Sequence, residues 1–159
     1  MDENREAIQI WGEERESALK RCLSRIAQWG LTMPAGVETL ALDFGLGRFR
    51  ETGLIEFWVA NREAEGYCGK FLFVFDGQTC PSHHHGMKHE TFFVMKGRVR
   101  MAVDGVSIEC PEGEVVAMPP GTKHDFTGIG DALLLEVSQP CMVGDNYFAD
   151  RMIGRDGRA

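Results

Sequence analysis

Between Gly77 and Gly97 the chain reads Gly-Gln-Thr-Cys-Pro-Ser-His-His-His-Gly-Met-Lys-His-Glu-Thr-Phe-Phe-Val-Met-Lys-Gly, and four of the protein's five histidines fall in this stretch. The fifth, His124, follows Pro119-Pro120-Gly121. On an extended segment residues two apart share a face, so His83 and His85 point one way and His84 the other. Glu90 opens the next segment after the Gly86-Met87-Lys88-His89 bend and can swing its carboxylate to the same face. A Pro-Pro-Gly turn reverses a strand and can return His124 as a third imidazole. Three neutral imidazoles and one carboxylate suit a divalent transition metal, Mn, Fe, Co, Ni or Zn, rather than Ca or Mg. Four protein ligands on a six-coordinate ion leave two positions for substrate or water, the layout of a catalytic site and not of a closed structural one. His84 and His89 read as outward or rim residues.

The elements that must position these residues change period once along the chain. Residues 3–29 read as helix, with Trp11, Ala18, Leu19, Cys22, Ile26 and Trp29 making one apolar stripe and Gly30 as a stop. Gly12 is a point where that helix can split. From Val37 the pattern alternates. Strands are expected at 37–42, 54–60, 67–75, across the histidine run, at 90–96, 115–118, 123–127 and 132–138. A hairpin is expected where Val99, Met101, Val103 and Val106, Ile108, Cys110 alternate about Asp104-Gly105. Many short strands with Gly and Pro turns beside one long helix argue an antiparallel sandwich or barrel. The division expected is a helical segment over 1–36 packed on the barrel's outside or across a partner, a β-barrel over 37–154, and a frayed tail over 155–159.

Bulk properties narrow the partners. A chain of 159 residues is one domain's worth and can bury a core. The net charge of −7, with no basic cluster, argues against nucleic acid or an anionic membrane surface. No apolar run approaches the ~20 residues that span a bilayer, and Met1-Asp-Glu-Asn-Arg-Glu lacks the apolar core of a signal peptide. Five cysteines, without a Cys-x-x-Cys pair, do not form a disulfide framework. They are expected to be reduced, mostly small hydrophobes, in a cytoplasmic protein. Cys80, just before the histidines, is read as inert packing ahead of reactivity, and is the first of the five to check for the latter.

The spacing resembles the two motifs of the cupin superfamily. Gly77, His83, His85, Glu90 and Gly97 match the first. Gly113, Pro119, Gly121 and His124 match the second, with Gly128 where the motif usually has Asn. Cupin membership implies an all-β, single-domain double-stranded β-helix, or jelly-roll barrel, but it leaves the chemistry open. Further stretches resemble the D-lyxose ketol-isomerase family of cupins: Asp43-Phe-Gly-Leu-Gly47, Tyr67-Cys-Gly-Lys70, Gly77-Gln-Thr-Cys-Pro81, Lys88-His-Glu-Thr-Phe92, Pro119 to Phe126, Glu136-Val-Ser138 and Asp145-Asn-Tyr-Phe148. The segment between His85 and Lys88 is shorter than that family's pattern, which bears on the cavity mouth and sugar preference.

That resemblance implies an aldose–ketose isomerase of the D-lyxose/D-xylulose or D-mannose/D-fructose type, working through an enediol. It implies His83, His85, Glu90 and His124 as metal ligands, with manganese favoured over zinc, iron, cobalt or nickel, and Lys88 and Glu136 as the proton-handling residues. A small-molecule sugar is the expected partner, and a homodimer the expected assembly. From the residues alone, Glu136 is the one charge in Ala132-Leu-Leu-Leu-Glu-Val-Ser138 and shares a face with Leu134 and Ser138. Facing inward it is a base beside the metal; facing outward it is a solvated carboxylate. Lys88 on a loop would ordinarily be a solvated lysine. Lys70 and Asp43 are further candidates for the cavity wall. A metal-dependent dioxygenase and a non-catalytic sugar-binding or sensing cupin are the alternatives.

Overall fold

The computed structural model describes residues 6–159. Among the described residues, one long helix, α1 (Gly12–Gln28), precedes eleven strands. They are β1 (Glu38–Leu42), β2 (Leu54–Arg62), β3 (Tyr67–Val74), β4 (Thr79–His85), β5 (Glu90–Lys96), β6 (Arg98–Val103), β7 (Val106–Pro111), β8 (Val115–Met118), β9 (His124–Gly128), β10 (Ala132–Ser138) and β11 (Asn146–Phe148). They form a six-stranded sheet, β1-β2-β3-β10-β5-β8, and a five-stranded sheet, β11-β4-β9-β6-β7. Every strand pairing is antiparallel. This is the all-β barrel with an external helix that the alternation called for. No described helix is long and apolar enough to cross a membrane.

Two separate cores explain why several strands read as continuous apolar runs. Leu72, Val74, Leu134, Phe92, Met101 and Phe126 are buried inside the barrel. Their strand neighbours Phe73, Phe75 and Leu133 face the opposite way, under Ala18, Cys22 and Ile26 of α1. Strands covered on both faces lose the polar half of the alternation. Burying Ile26 alone is worth about 1.5–3 kcal/mol, so α1 is held by this contact more than by helix propensity.

The segment expected as helix over 3–29 divides at the point where it can split: Glu6 and Ala7 are helical, Trp11 is extended and Gly12 has φ +60°, so the long helix starts at Gly12; residues 3–5 lie outside the described residues. Its end is a Schellman motif, with Gly30 N–H on Ala27 O (2.9 Å) and Leu31 N–H on Ile26 O (3.1 Å). The tail does not fray. Phe148 N–H donates to Gly157 O (2.7 Å), Asn146 Nδ2 to Ala159 O (2.9 Å), and Ile153 is fully buried in the barrel core. These contacts close the tail onto β11, a strand absent from the alternation reading because it is three residues long.

Two signature glycines are explained by close backbone approach. A Cβ on Gly97 would lie 2.3 Å from Asp131 O, at φ +77°. A Cβ on Gly128 would lie 2.5 Å from Phe75 O. The place where the cupin motif usually has Asn therefore has no room for a side chain in this protein.

Candidate active site

β4 and β9 lie side by side, with His83 paired to His124. The extended backbone turns each imidazole back onto the carbonyl two residues before it: His83 Nδ1 on Pro81 O (2.8 Å) and His124 Nδ1 on Thr122 O (3.0 Å). His85 Nδ1 meets Asp145 O (3.0 Å). A carbonyl can only accept, so each ring carries its proton on Nδ1 and presents the Nε2 lone pair to the interior. There His85 Nε2 lies 3.2 Å from Glu90 Oε1 and His124 Nε2 lies 3.1 Å from Glu90 Oε2.

Lone pairs aimed at a carboxylate make no hydrogen bond, and His85 Nε2, His124 Nε2 and Glu90 Oε2 are buried without a hydrogen-bond partner. Such atoms call for an ion. The ligand atoms of His83, His85, Glu90 and His124 all lie within 4.8 Å of one another, so one divalent transition metal fits the whole set. Burial, reinforced by His124 and His85, holds the His83 pKa well below its ordinary value, in the neutral form a metal needs. The Lys88 ammonium beside Glu90 favours its carboxylate form.

The opposite wall carries a ladder of alternating charge. Glu56 (β2) accepts from Lys70 Nζ (β3) at 3.0 Å, and Lys70 Nζ lies 3.3 Å from Glu136 Oε2 (β10). Glu136 Oε1 accepts from Lys88 Nζ at 3.1 Å and from Ser138 Oγ at 2.9 Å, and Lys88 Nζ reaches Glu90 Oε1 at 2.5 Å. All five charged groups are buried. Glu136 shares the inward face of β10 with Leu134. Burial raises its pKa to about 7, against the lowering pull of Lys70 and Lys88. Burial works against the ammonium of Lys88, but Glu136 and Glu90 more than offset it, so its pKa is raised and it remains a cation.

Lys88 lies on the β4–β5 connection, yet it is only 4% exposed. The cause is Asp145, whose carboxylate accepts the N–H groups of Gly86 (2.9 Å), Met87 (3.2 Å) and Lys88 (3.2 Å). Asp145 thus ties the loop inward with its side chain while its own carbonyl orients His85. Gly121 N–H donates to His85 O (2.7 Å), fixing the Pro-Pro-Gly turn against the same histidine.

Both walls border one cavity of about 510 Å³. Trp58, Leu72, Phe92, Phe126 and Phe148 supply its apolar lining. A cavity of this size with a few convergent polar groups is the usual form of a small-molecule site.

Five of the six residues singled out in the sequence, His83, His85, Lys88, Glu90 and Glu136, line this cavity, and His124 joins the group through its ligand atom beside His83, His85 and Glu90. Lys70 joins them, whereas Asp43 lies elsewhere: its carboxylate accepts Gly45 and Gly47 N–H groups at 2.9 and 3.0 Å, holding the turn after β1. His84 stacks on Tyr147 and His89 is exposed. Cys80 is buried and burial raises its pKa, which fits the inert packing expected of it. Cys141 is the cysteine beside an ammonium, lying 3.3 Å from Lys88 Nζ. Glu56 was missed, although it is a lone charge in an apolar strand just as Glu136 is. Asp145 stood in the sequence only inside the Asp145-to-Phe148 resemblance, with no role attached, and Cys141 carried no local signal.

Comparison with known proteins places this arrangement among relatives. A cupin-domain profile matches residues 71–138 and a D-lyxose isomerase profile matches residues 38–97. The D-lyxose/D-mannose isomerase of Thermosediminibacter oceani is 32% identical, covering 71% of this chain and 77% of that one. The D-lyxose ketol-isomerase of Cohnella laeviribosi is 29% identical over 91% of this chain and 94% of that one. Among solved structures, L-ribose isomerase of Cellulomonas parahominis superposes with a TM-score of 0.73 at 14% identity, covering 95% and 97% of the two chains.

Proposed function

The chain belongs to the D-lyxose isomerase family of cupins, and from that premise we propose that it interconverts an aldose and a ketose of the D-lyxose/D-xylulose or D-mannose/D-fructose kind. The observation that carries this reading is Glu136, a buried inward carboxylate held between two ammonium groups on the cavity wall facing the histidines. His83, His85, Glu90 and His124 would hold a divalent transition metal, manganese before zinc, iron, cobalt or nickel. When bound, such an ion polarises the sugar carbonyl as a Lewis acid.

The chain's own residues do the rest. Glu136, with a pKa of about 7, is poised to accept a proton as a carboxylate and to give it back. It removes the proton from C2 of the aldose, forming an enediol, and returns it to C1. Lys88, a cation at rest, gives a proton to O1 as charge builds there and takes one back from the O2 hydroxyl as C1 is protonated, so it ends the cycle as it began. Lys70 and Glu56 keep Glu136 in place from behind, and the apolar lining limits water that would exchange the shuttled proton. A dioxygenase reading uses the same four ligands but has no role for the four further buried charges, Glu56, Lys70, Lys88 and Glu136.

Purified protein loaded with manganese should convert lyxose to xylulose or mannose to fructose without consuming oxygen. Failure with all four sugars would sink the isomerase reading, and oxygen uptake would favour the dioxygenase. The reduced cysteines fit a cytoplasmic enzyme. A homodimer is supported by exposed Val59, Phe93, Val115 and Val137 on the six-stranded sheet. Light scattering at twice the chain mass checks it.

A further inference from the structure

Cys141 borders the cavity, is partly exposed, and belongs to none of the groups that hold metal or move protons in the reading above. Its Sγ lies 3.7 Å from Cys68 Sγ and 3.3 Å from Lys88 Nζ. Asn61 clamps its main chain, accepting Cys141 N–H at 3.0 Å and donating to Cys141 O at 3.1 Å. Two thiols are therefore held in contact by separate elements, 73 residues apart, with an ammonium against the outer one. We infer that Cys68 and Cys141 are a peroxide-reactive dithiol that closes to a disulfide beside the proton-handling residues and lowers turnover reversibly.

The chemistry of the surroundings supports this. A hydrogen bond from Cys68, opposed by burial and aided by Lys70 and Lys88, lowers the Cys141 pKa to about 5, so it is a thiolate at neutral pH. Cys68 is raised by that same contact and by burial, and it keeps its proton. Hydrogen peroxide is small enough to enter the cavity. The Cys141 thiolate attacks one peroxide oxygen; the O–O bond breaks, hydroxide leaves and Cys141 becomes a sulfenic acid. Cys68 sulfur then attacks Cys141 sulfur, the S–OH bond breaks, and the hydroxide leaves with the Cys68 proton as water. The two sulfurs together lose two electrons and peroxide is reduced.

Closing the gap from 3.7 Å to a bond of about 2.0 Å draws Cys141 away from Lys88 and removes its negative charge. Lys88 loses one partner, and its position against Glu136 changes. The remaining cysteines are internal controls. Cys22, Cys80 and Cys110 are buried, burial raises their pKa, and no thiol faces them among the described residues.

The effect on turnover rests on the isomerase reading; the thiol chemistry does not. Zinc-loaded protein, in which no redox metal consumes peroxide, is treated with hydrogen peroxide, alkylated and mapped by mass spectrometry. The expected result is a Cys68–Cys141 disulfide with Cys22, Cys80 and Cys110 still thiols, and a roughly tenfold loss of isomerase turnover that dithiothreitol restores. Cys68→Ser should keep its basal turnover, form no disulfide, and trap Cys141 as a sulfenic acid that a dimedone-type probe labels. Both thiols remaining free under peroxide that oxidises free cysteine would overturn the proposal, and so would a disulfide that leaves turnover unchanged. If untreated enzyme isomerises no sugar, the peptide map still decides the dithiol, so the two readings fail separately.

Discussion

The two walls of the cavity are built on different principles. On the five-stranded sheet, His83, His85 and His124 are each oriented by a main-chain carbonyl. Their geometry follows from backbone that the barrel fixes, and no neighbour's protonation alters it. On the six-stranded sheet and the β4–β5 connection, Glu56, Lys70, Glu136 and Lys88 are held by one another. Each charge there sets the position and the proton affinity of the next. Glu90 belongs to both, with its carboxylate between two imidazoles and the Lys88 ammonium. The lesson is a division of labour. Under the proposed function, ligands that must not move are tied to backbone, and groups that must exchange protons are tied to each other.

The comparison breaks most visibly if the first wall is damaged. His124→Ala removes one of four candidate ligands and should lower bound metal and reduce turnover by about a thousandfold or more. Metal analysis and kcat measured together check this; full turnover without metal would refute the assignment. On the second wall, Glu136→Gln should cost roughly a hundred- to a thousandfold in kcat while bound metal stays equal to wild type. Loss of metal in that variant would mean the walls are not independent.

A subtler change tests whether the ladder tunes itself. Lys70 lowers the Glu136 pKa and bridges it to Glu56. Lys70→Met should therefore move the acidic limb of the kcat profile to higher pH and lower neutral-pH turnover roughly tenfold. Breaking the buried pairs should also destabilise the fold by about 3–5 kcal/mol, read from chemical denaturation. An unmoved limb would show that Lys70 is structural only. The smallest effect is in the wild type. The reaction needs Glu136 as a carboxylate, and burial has raised its pKa to about 7. Turnover should rise with pH through a limb at about pH 7 or somewhat below, since a bound cation can only pull the carboxyl down. A profile that falls over that range would contradict Glu136 as base.

Much of the first wall was legible because its signals are local. His-x-His puts two imidazoles on one face of any strand, and Pro-Pro-Gly before His124 marks a reversal. The second wall was less so. Alternation placed Glu136 with Leu134 and Ser138 but did not say which face was inward; the position of β10 between β3 and β5, with α1 covering the other side, decided it. Lys88 read as a solvated loop residue because the group that draws it inward, Asp145, lies 57 residues further on. The Cys68–Cys141 contact spans 73 residues and left no trace in the spacing.

The sequence by itself determined the all-β barrel, the external helix, the hairpin at Asp104-Gly105 and the four residues of the candidate ligand set, because strand periodicity and turn chemistry act over a few residues. Only the tertiary structure decided the inward face of Glu136, the burial of Lys88, the Glu56–Lys70 extension and the paired thiols. Those depend on strand order and register, which bring distant segments within a few ångströms of one another.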